Sequence, residues 1–196
     1  MSSLAPTRFT EGEYLALEHA ADSKHEFVDG AIVAMAGARP PHNILAANLT
    51  AALVVQARGR GCVTMTSDQR VHIPATRVYT YPDVILACGE RRYDDGEPPS
   101  LLNPTALFEV TSDSTEDYDR GTKFLHYQAI VELQDYVIVS HRMRRLDHYR
   151  REGDGHWRLM TTTRDEESLE LASLGGPIVL ADIYAGVDLD EGRTGS

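Results

Sequence analysis

The patterned part of the chain opens on a helix signal. Thr10 stands before residues 11–21 with Glu13 three positions on, a pairing in which each side chain satisfies the other's backbone N–H. The rhythm then shortens to two. In HEFVDGAIVAM, two β-prone runs flank Asp29-Gly30, a pair suited to a two-residue type I′ turn because both positions need positive φ. From 41 to 58, Ile44, Leu45, Leu49, Leu53 and Val54 recur at three- and four-residue spacings, and Gly59 and Gly61 stop this second helix. Strand-like runs follow at 62–66, 70–73, 81–88 and 105–111, with the Pro-, Gly- and acid-rich stretch 89–104 as a loop.

A third helix is predicted from 114 or 116 to 130, with Ser112 and Thr115 as caps. The run 135–141 is nearly continuously apolar, as a strand covered on both faces should be. RLDHYRR, HWRLMTT and SLELASL then read as antiparallel strands, with Gly153-Asp154-Gly155 as a turn and 190–196 as a frayed tail. The order predicts a mixed central β-sheet flanked by helices, an α/β (α+β) class, with a helix and hairpin at the N-terminus and antiparallel strands at the C-terminus. One domain spanning 1–196 is expected.

Composition narrows the class. Of 196 residues, 42% are hydrophobic and 25% charged, which disfavours disordered, collagenous and coiled-coil chains. Cys62 and Cys88 lie in apolar strand-like runs and are expected as buried thiols rather than a disulfide, which suggests a reducing compartment. The longest apolar run, VILAC, is far below the ~20 residues needed to cross a bilayer. A cytoplasmic protein with no membrane partner is therefore expected. Net charge is −11, from 19 Lys+Arg against 30 Asp+Glu, which argues against a general nucleic-acid coat but not against a nucleic-acid enzyme. Arginines cluster locally: Arg58, Arg60, Arg70 and Arg77 form one group and are candidate backbone contacts to DNA.

Two of the predicted strands carry a carboxylate inside an apolar run: Asp83 in YPDVIL and Glu109 in ALFEVT. Burying such a group requires an ion pair, hydrogen bonds or a cation. The helix that follows bears Asp119, Lys123 and Tyr127 at i, i+4 spacing, so all three project from one face. Two carboxylates and an ammonium suit metal-assisted phosphodiester hydrolysis, because hard oxygen ligands hold Mg²⁺ or Mn²⁺ and a lysine orients water or stabilises developing negative charge. Asp83, Glu109 and the Val110 carbonyl are the candidate ligands, with Lys123 beside them and Asp119 and Tyr127 as supporting groups. His42, ahead of the second helix, is a candidate phosphate contact. HExxH, zinc-spaced Cys/His clusters, GxxxxGK[ST], GxGxxG after a strand and GxSxG are all absent.

The strings Tyr-Pro-Asp-Val, Leu-Asn-Pro-Thr-Ala-Leu-Phe-Glu-Val, Ser-Asp-Ser-Thr-Glu-Asp-Tyr-Asp-Arg-Gly-Thr-Lys-Phe-Leu-His-Tyr and Lys-His-Glu-Phe-Val-Asp-Gly resemble the Uma2 family of restriction-endonuclease-like proteins. The resemblance runs from about residue 9 to 189, the expected core. It implies a PD-(D/E)xK nuclease with a restriction-endonuclease-like core, cutting DNA with a divalent metal. Pro82-Asp83 matches the PD element and Glu109 the following acid. The usual lysine position, two after the acid, is Thr111 here, and the resemblance assigns the lysine role to Lys123. It also suggests Glu26 as a further metal or water ligand. By analogy with nucleases of this fold, a homodimer is expected. Two other classes fit the same residues: a non-catalytic nuclease-like binding or regulatory module, and a metal-dependent hydrolase of small phosphoesters.

Overall fold

The computed structural model describes residues 8–35, 37–113 and 115–189. Helix α1 (Glu11–Ala20) begins where the capping pair predicts: the Thr10 hydroxyl accepts from the Glu13 N–H, and the Glu13 carboxylate accepts the Thr10 N–H at 2.8 Å. Strands β1 (His25–Val28) and β2 (Ala31–Ala34) form the expected hairpin, with φ of 43° at Asp29 and 89° at Gly30. Helix α2 (Pro40–Ala57) follows and gives way at Arg58, before β3 (Cys62–Thr66).

The run 81–88 expected as one long strand is a strand only from Val84 on, and Tyr81, Pro82 and Asp83 link two different sheets. Strands β4 (Val71–Ile73) and β5 (Val78–Thr80) join the hairpin in a four-stranded sheet ordered β2-β1-β5-β4. After Tyr81-Pro82-Asp83 the chain enters a six-stranded sheet as β6 (Val84–Cys88). Pro82 explains the division: it has no N–H for a ladder, and it restricts the residue before it. Asp83 thus lies at the point where the chain changes sheets.

Strand β7 (Ala106–Val110) pairs antiparallel with β6 and parallel with β8 (Asp135–Val139). The crossover between β7 and β8 is helical but not uniform. It runs as α3 (Glu116–Tyr118), a π-helical turn (Asp119–Lys123) and α4 (Phe124–Tyr127), so the predicted helix ends at Tyr127 rather than at 130. Thr115, the N-cap of α3, makes no side-chain cap bond, and its hydroxyl instead accepts the Ser112 N–H at 3.2 Å. Strands β9 (Leu146–Arg151) and β10 (Trp157–Thr162) complete the sheet in the order β10-β9-β8-β7-β6-β3. Of SLELASL, only β11 (Ser168–Leu169) is a strand; it pairs with β12 (Ile178–Val179), which leads into α5 (Leu180–Ile183). Leu171 and Leu174 point into the core instead of continuing a ladder. The segment 190–196, expected to fray, lies outside the described residues.

Both faces of the large sheet are covered. On one, Leu45, Leu49 and Leu53 of α2 pack on Val84, Phe108 and Val137, with Leu180 and Ile183 of α5 beside them. On the other, Tyr127 and Ile130 pack on Leu107, Tyr136 and Ile138, and Val71, Ile73 and Val78 bring in the small sheet. Full burial contributes about 1.5–3 kcal/mol for each such apolar side chain, which is why β7 and β8 carry no exposed residue.

The cysteines correct an expectation. Cys62 and Cys88 form a disulfide, their Cα atoms 4.0 Å apart. They are direct partners in the β3–β6 register, which local sequence does not reveal. The ground for expecting a reducing compartment is thereby removed. Among the described residues, no helix is long and apolar enough to cross a membrane.

Candidate active site

The β6–β7 register pairs Val84 with Phe108, so one step beyond it Asp83 stands opposite Glu109. The two carboxylates thus come together at the same end of adjacent strands. Asp83 Oδ2 accepts the Val110 N–H at 2.7 Å, and His42 Nε2 at the start of α2 lies 3.2 Å from the same oxygen. Burial works against the protonated form of His42, but Asp83 first, then Asp119 and the nearby Val110 backbone, outweigh it and hold His42 above the usual histidine range.

The small sheet supplies a third carboxylate. Phe27 pairs with Tyr79, which sets Glu26 beside Thr80. The Thr80 hydroxyl donates to Glu26 Oε1, and the Tyr81 N–H approaches the same oxygen at 3.3 Å. The crossover helix supplies the rest. Lys123 Nζ lies 2.9 Å from Glu109 Oε1, 3.2 Å from Glu26 Oε1 and 3.8 Å from Asp119 Oδ1. Tyr127 donates its hydroxyl to Glu109 Oε1 at 2.7 Å. Asp119 and Lys123 bound the π-helical turn, and both are buried. A π turn inside an α-helix is frequent at functional sites.

Four carboxylates, Glu26, Asp83, Glu109 and Asp119, therefore face one ammonium and one imidazole. The charge excess governs protonation. Burial pushes Glu109 well above the carboxylate range; Lys123 opposes the shift, while Asp119, Asp83 and Glu26 add to it. Burial likewise raises Asp119 to about 6. For Glu26, burial is outweighed by Lys123, Thr80 and the Tyr81 N–H, so it stays below its ordinary value and ionised. Burial alone would lower Lys123, but Glu109, Glu26 and Asp119 hold it well above the usual lysine range. The ammonium is firmly charged, while Glu109 takes up a proton readily.

The donor set fits a hard divalent cation: carboxylate and carbonyl oxygens in excess over positive charge, with two carboxylates pushed toward protonation by their neighbours. Among the described residues, no three His, Cys, Asp or Glu side chains already converge on one cation position. Lys123 supplies an ammonium within ion-pair distance of Glu109, Glu26 and Asp119.

The site brings together Asp83, Glu109, Val110, Glu26, Lys123, Asp119, Tyr127 and His42, all expected from the sequence. Thr111, at the usual lysine position, is fully buried with its hydroxyl 2.9 Å from His141 Nδ1, so no cation stands there. The four arginines expected on DNA do not gather at the site. Arg70 is 2% exposed, donates to Ser100 Oγ and the Pro98 carbonyl at 2.7 Å, and stacks over Tyr14 and Tyr79. It braces the fold and has no surface for a phosphate. Arg58 and Arg60 lie past the far end of α2, roughly 22 Å of helix from His42, with the Arg60 guanidinium against Gly175. Arg77 is exposed and pairs with Asp29 at 2.8 Å on the small sheet. The sequence reading missed Thr80 and Tyr136, whose hydroxyl donates to the Asp119 carbonyl at 2.9 Å. Only the pairing of β1 with β5 and the packing of the crossover place these two residues.

The family model described as "Uma2: Putative restriction endonuclease" matches residues 12–181. The chain belongs to the Uma2 family. Two relatives from Synechocystis sp. share this likeness over nearly their whole length. The uncharacterized protein sll1609 is 33% identical over 88% of this chain and 98% of its own, and slr1290 is 36% identical over 89% and 90%. A solved structure from Anabaena variabilis, described as a "putative nuclease belonging to DUF820", superposes with a TM-score of 0.73 at 14% identity, covering 90% of this chain and 97% of that one. That likeness concerns the fold alone: this Uma2 member has the restriction-endonuclease-like arrangement of a mixed sheet between helical layers.

Proposed function

We propose that the protein is a divalent-metal-dependent endonuclease that hydrolyses DNA phosphodiester bonds. The observation that carries this reading is the convergence of Asp83, Glu109 and Lys123 at adjoining strand ends with carboxylates in excess. Asp83 and Glu109, with the Val110 carbonyl and Glu26, would hold Mg²⁺ or Mn²⁺. When bound, the ion would supply Lewis-acid stabilisation of a phosphate oxygen and lower the proton affinity of a nearby water.

Lys123 is held charged, so it acts as a donor that orients water and stabilises negative charge, rather than as a base. Tyr127 fixes Glu109 by its hydrogen bond to Oε1. Lys123, 2.9 Å from the same oxygen, holds Glu109 in place beside it. His42 and the Val110 N–H fix Asp83 Oδ2. One such site per chain cuts one strand, so two copies would act together on a duplex.

The test is cleavage of supercoiled plasmid and single-stranded DNA in Mg²⁺, Mn²⁺ or chelator, by the parent and by Glu109→Gln and Lys123→Met. Metal-dependent cleavage abolished in both variants is the expected result. The pairing of Lys123 with Glu109 at 2.9 Å favours one second reading, a nuclease-like binding module. Folded parent protein inert in both metals would transfer the conclusion to that module.

A further inference from the structure

Immediately beyond the site lies a cluster of ion pairs that the reaction as described does not use, with Glu116 Oε2 also 3.8 Å from Arg142 Nη1 at its edge. Asp113, four residues after Glu109, is its centre. His141 Nε2 lies 3.1 Å from Asp113 Oδ1; Arg142 reaches the same oxygen through Nε at 3.1 Å and Nη2 at 2.6 Å; Arg39 Nη1 stands 3.9 Å from Oδ2. Three side chains from two separate segments thus face one carboxylate. We infer that Arg39, His141 and Arg142 form a binding lip for a backbone phosphate of nucleic acid, with Asp113 occupying the phosphate's place until the strand arrives. The inference rests on the nuclease reading above and extends it to how the strand is held.

Exposure favours exchange. The side chains of Arg39, Arg142 and Asp113 are 81%, 55% and 57% exposed, and ion pairs open to water are weakly held, so a phosphate with more oxygens and more partners can replace the carboxylate. His141 is the fixed point of the lip. Its side chain is 17% exposed, and its Nδ1 is tied at 2.9 Å to the hydroxyl of Thr111, itself fully buried. Thr111 is two residues from Glu109, roughly 7 Å along an extended strand, so the anchor of His141 lies on the strand that carries a candidate metal ligand.

Helix α2 adds to the field. Arg39 is its N-cap, so the positive end of the macrodipole of an 18-residue helix lies beside the cluster, although Pro40 and Pro41 contribute no N–H. The lip also bears on the −11 net charge, which repels nucleic acid at long range: local cations at the mouth would retain a strand that the whole surface does not attract.

The test is binding of a fluorescein-labelled single-stranded oligonucleotide to the full chain in chelator, over a salt series, with CD and thermal melts as fold controls. Arg39→Ala and Arg142→Ala should each weaken binding about fivefold or more and reduce the slope of log K against log salt by roughly 0.7. Asp113→Ala should tighten binding, and Arg164→Ala, at an exposed arginine paired with Glu167, should match the parent. If Arg39→Ala and Arg142→Ala match Arg164→Ala while the parent still cleaves DNA in metal, the lip is refuted and the nuclease reading stands. If the parent neither binds nor cleaves, the nuclease reading fails and the lip with it. Unchanged binding by Asp113→Ala would refute its part as occupant.

Discussion

Replacing Lys123 by methionine tests the electrostatic account of the site directly. The side chain is 8% exposed, and its ammonium is the counter-charge to Glu109 at 2.9 Å and Glu26 at 3.2 Å. At an effective dielectric of about 20, these separations correspond to attractions of about 6 and 5 kcal/mol before desolvation is subtracted. Much of that offsets the cost of burying the charges, so the measurable loss on removing the lysine is about 3–5 kcal/mol. For a chain of this size the melting temperature should fall by roughly 6–20 °C.

The sign with pH follows from the same cluster. Without the ammonium, the buried carboxylates bind protons more tightly folded than unfolded, and groups with raised folded pKa values stabilise at low pH and lose that contribution as pH rises. The deficit of Lys123→Met should therefore be largest near about pH 8 and shrink toward about pH 5. Adding Glu109→Gln to Lys123→Met should recover about 2 kcal/mol, because a neutral amide no longer needs a partner. Urea unfolding in chelator at both pH values reads all three. A deficit below about 1 kcal/mol at the higher pH, or one that does not change on acidification, would refute the buried-cluster reasoning.

Asp119, raised to about 6 by burial against an ordinary 3.8, keeps its proton in the folded chain after the unfolded chain has lost it. The parent should therefore lose about 3 kcal/mol relative to Asp119→Asn as pH rises from about 4 to above about 6, measured by urea unfolding across that range. Arg70→Ala should lower stability by about 3 kcal/mol through two lost hydrogen bonds while leaving the salt dependence of nucleic-acid binding unchanged; an altered salt slope would restore Arg70 as a phosphate contact. The Cys62–Cys88 bridge closes a sequence separation of 26, so Cys62→Ser/Cys88→Ser should cost about 3–4 kcal/mol by unfolding in the absence of reductant. A melting temperature equal to the parent's would show the bridge to be absent in solution.

Sequence alone determined those elements whose signals are local, and it offered the candidate residues of the site. Thr10 with Glu13 fixed the start of α1, Asp29-Gly30 fixed the hairpin, and the spacing of Leu45, Leu49 and Leu53 fixed the buried face of α2, because each is an interaction among near neighbours in the chain. Asp83, Glu109 and Lys123 were legible as a set because a charge inside an apolar run demands a partner. Register and long-range pairing decided the remainder. The facing of Asp83 and Glu109, the approach of Glu26 through Thr80, and the bridge between Cys62 and Cys88 each require two distant segments to align, and a strand's own sequence does not specify its partner. Arg70 shows the same division: its charge suggested a surface contact, and only the packing of Tyr14, Tyr79 and Ser100 around it made it part of the interior. Likewise, the spacing of Asp119, Lys123 and Tyr127 placed them on one face, but the π turn that the crossover adopts between β7 and β8 set the ammonium against Glu109, because helix geometry yields where buried charges must meet.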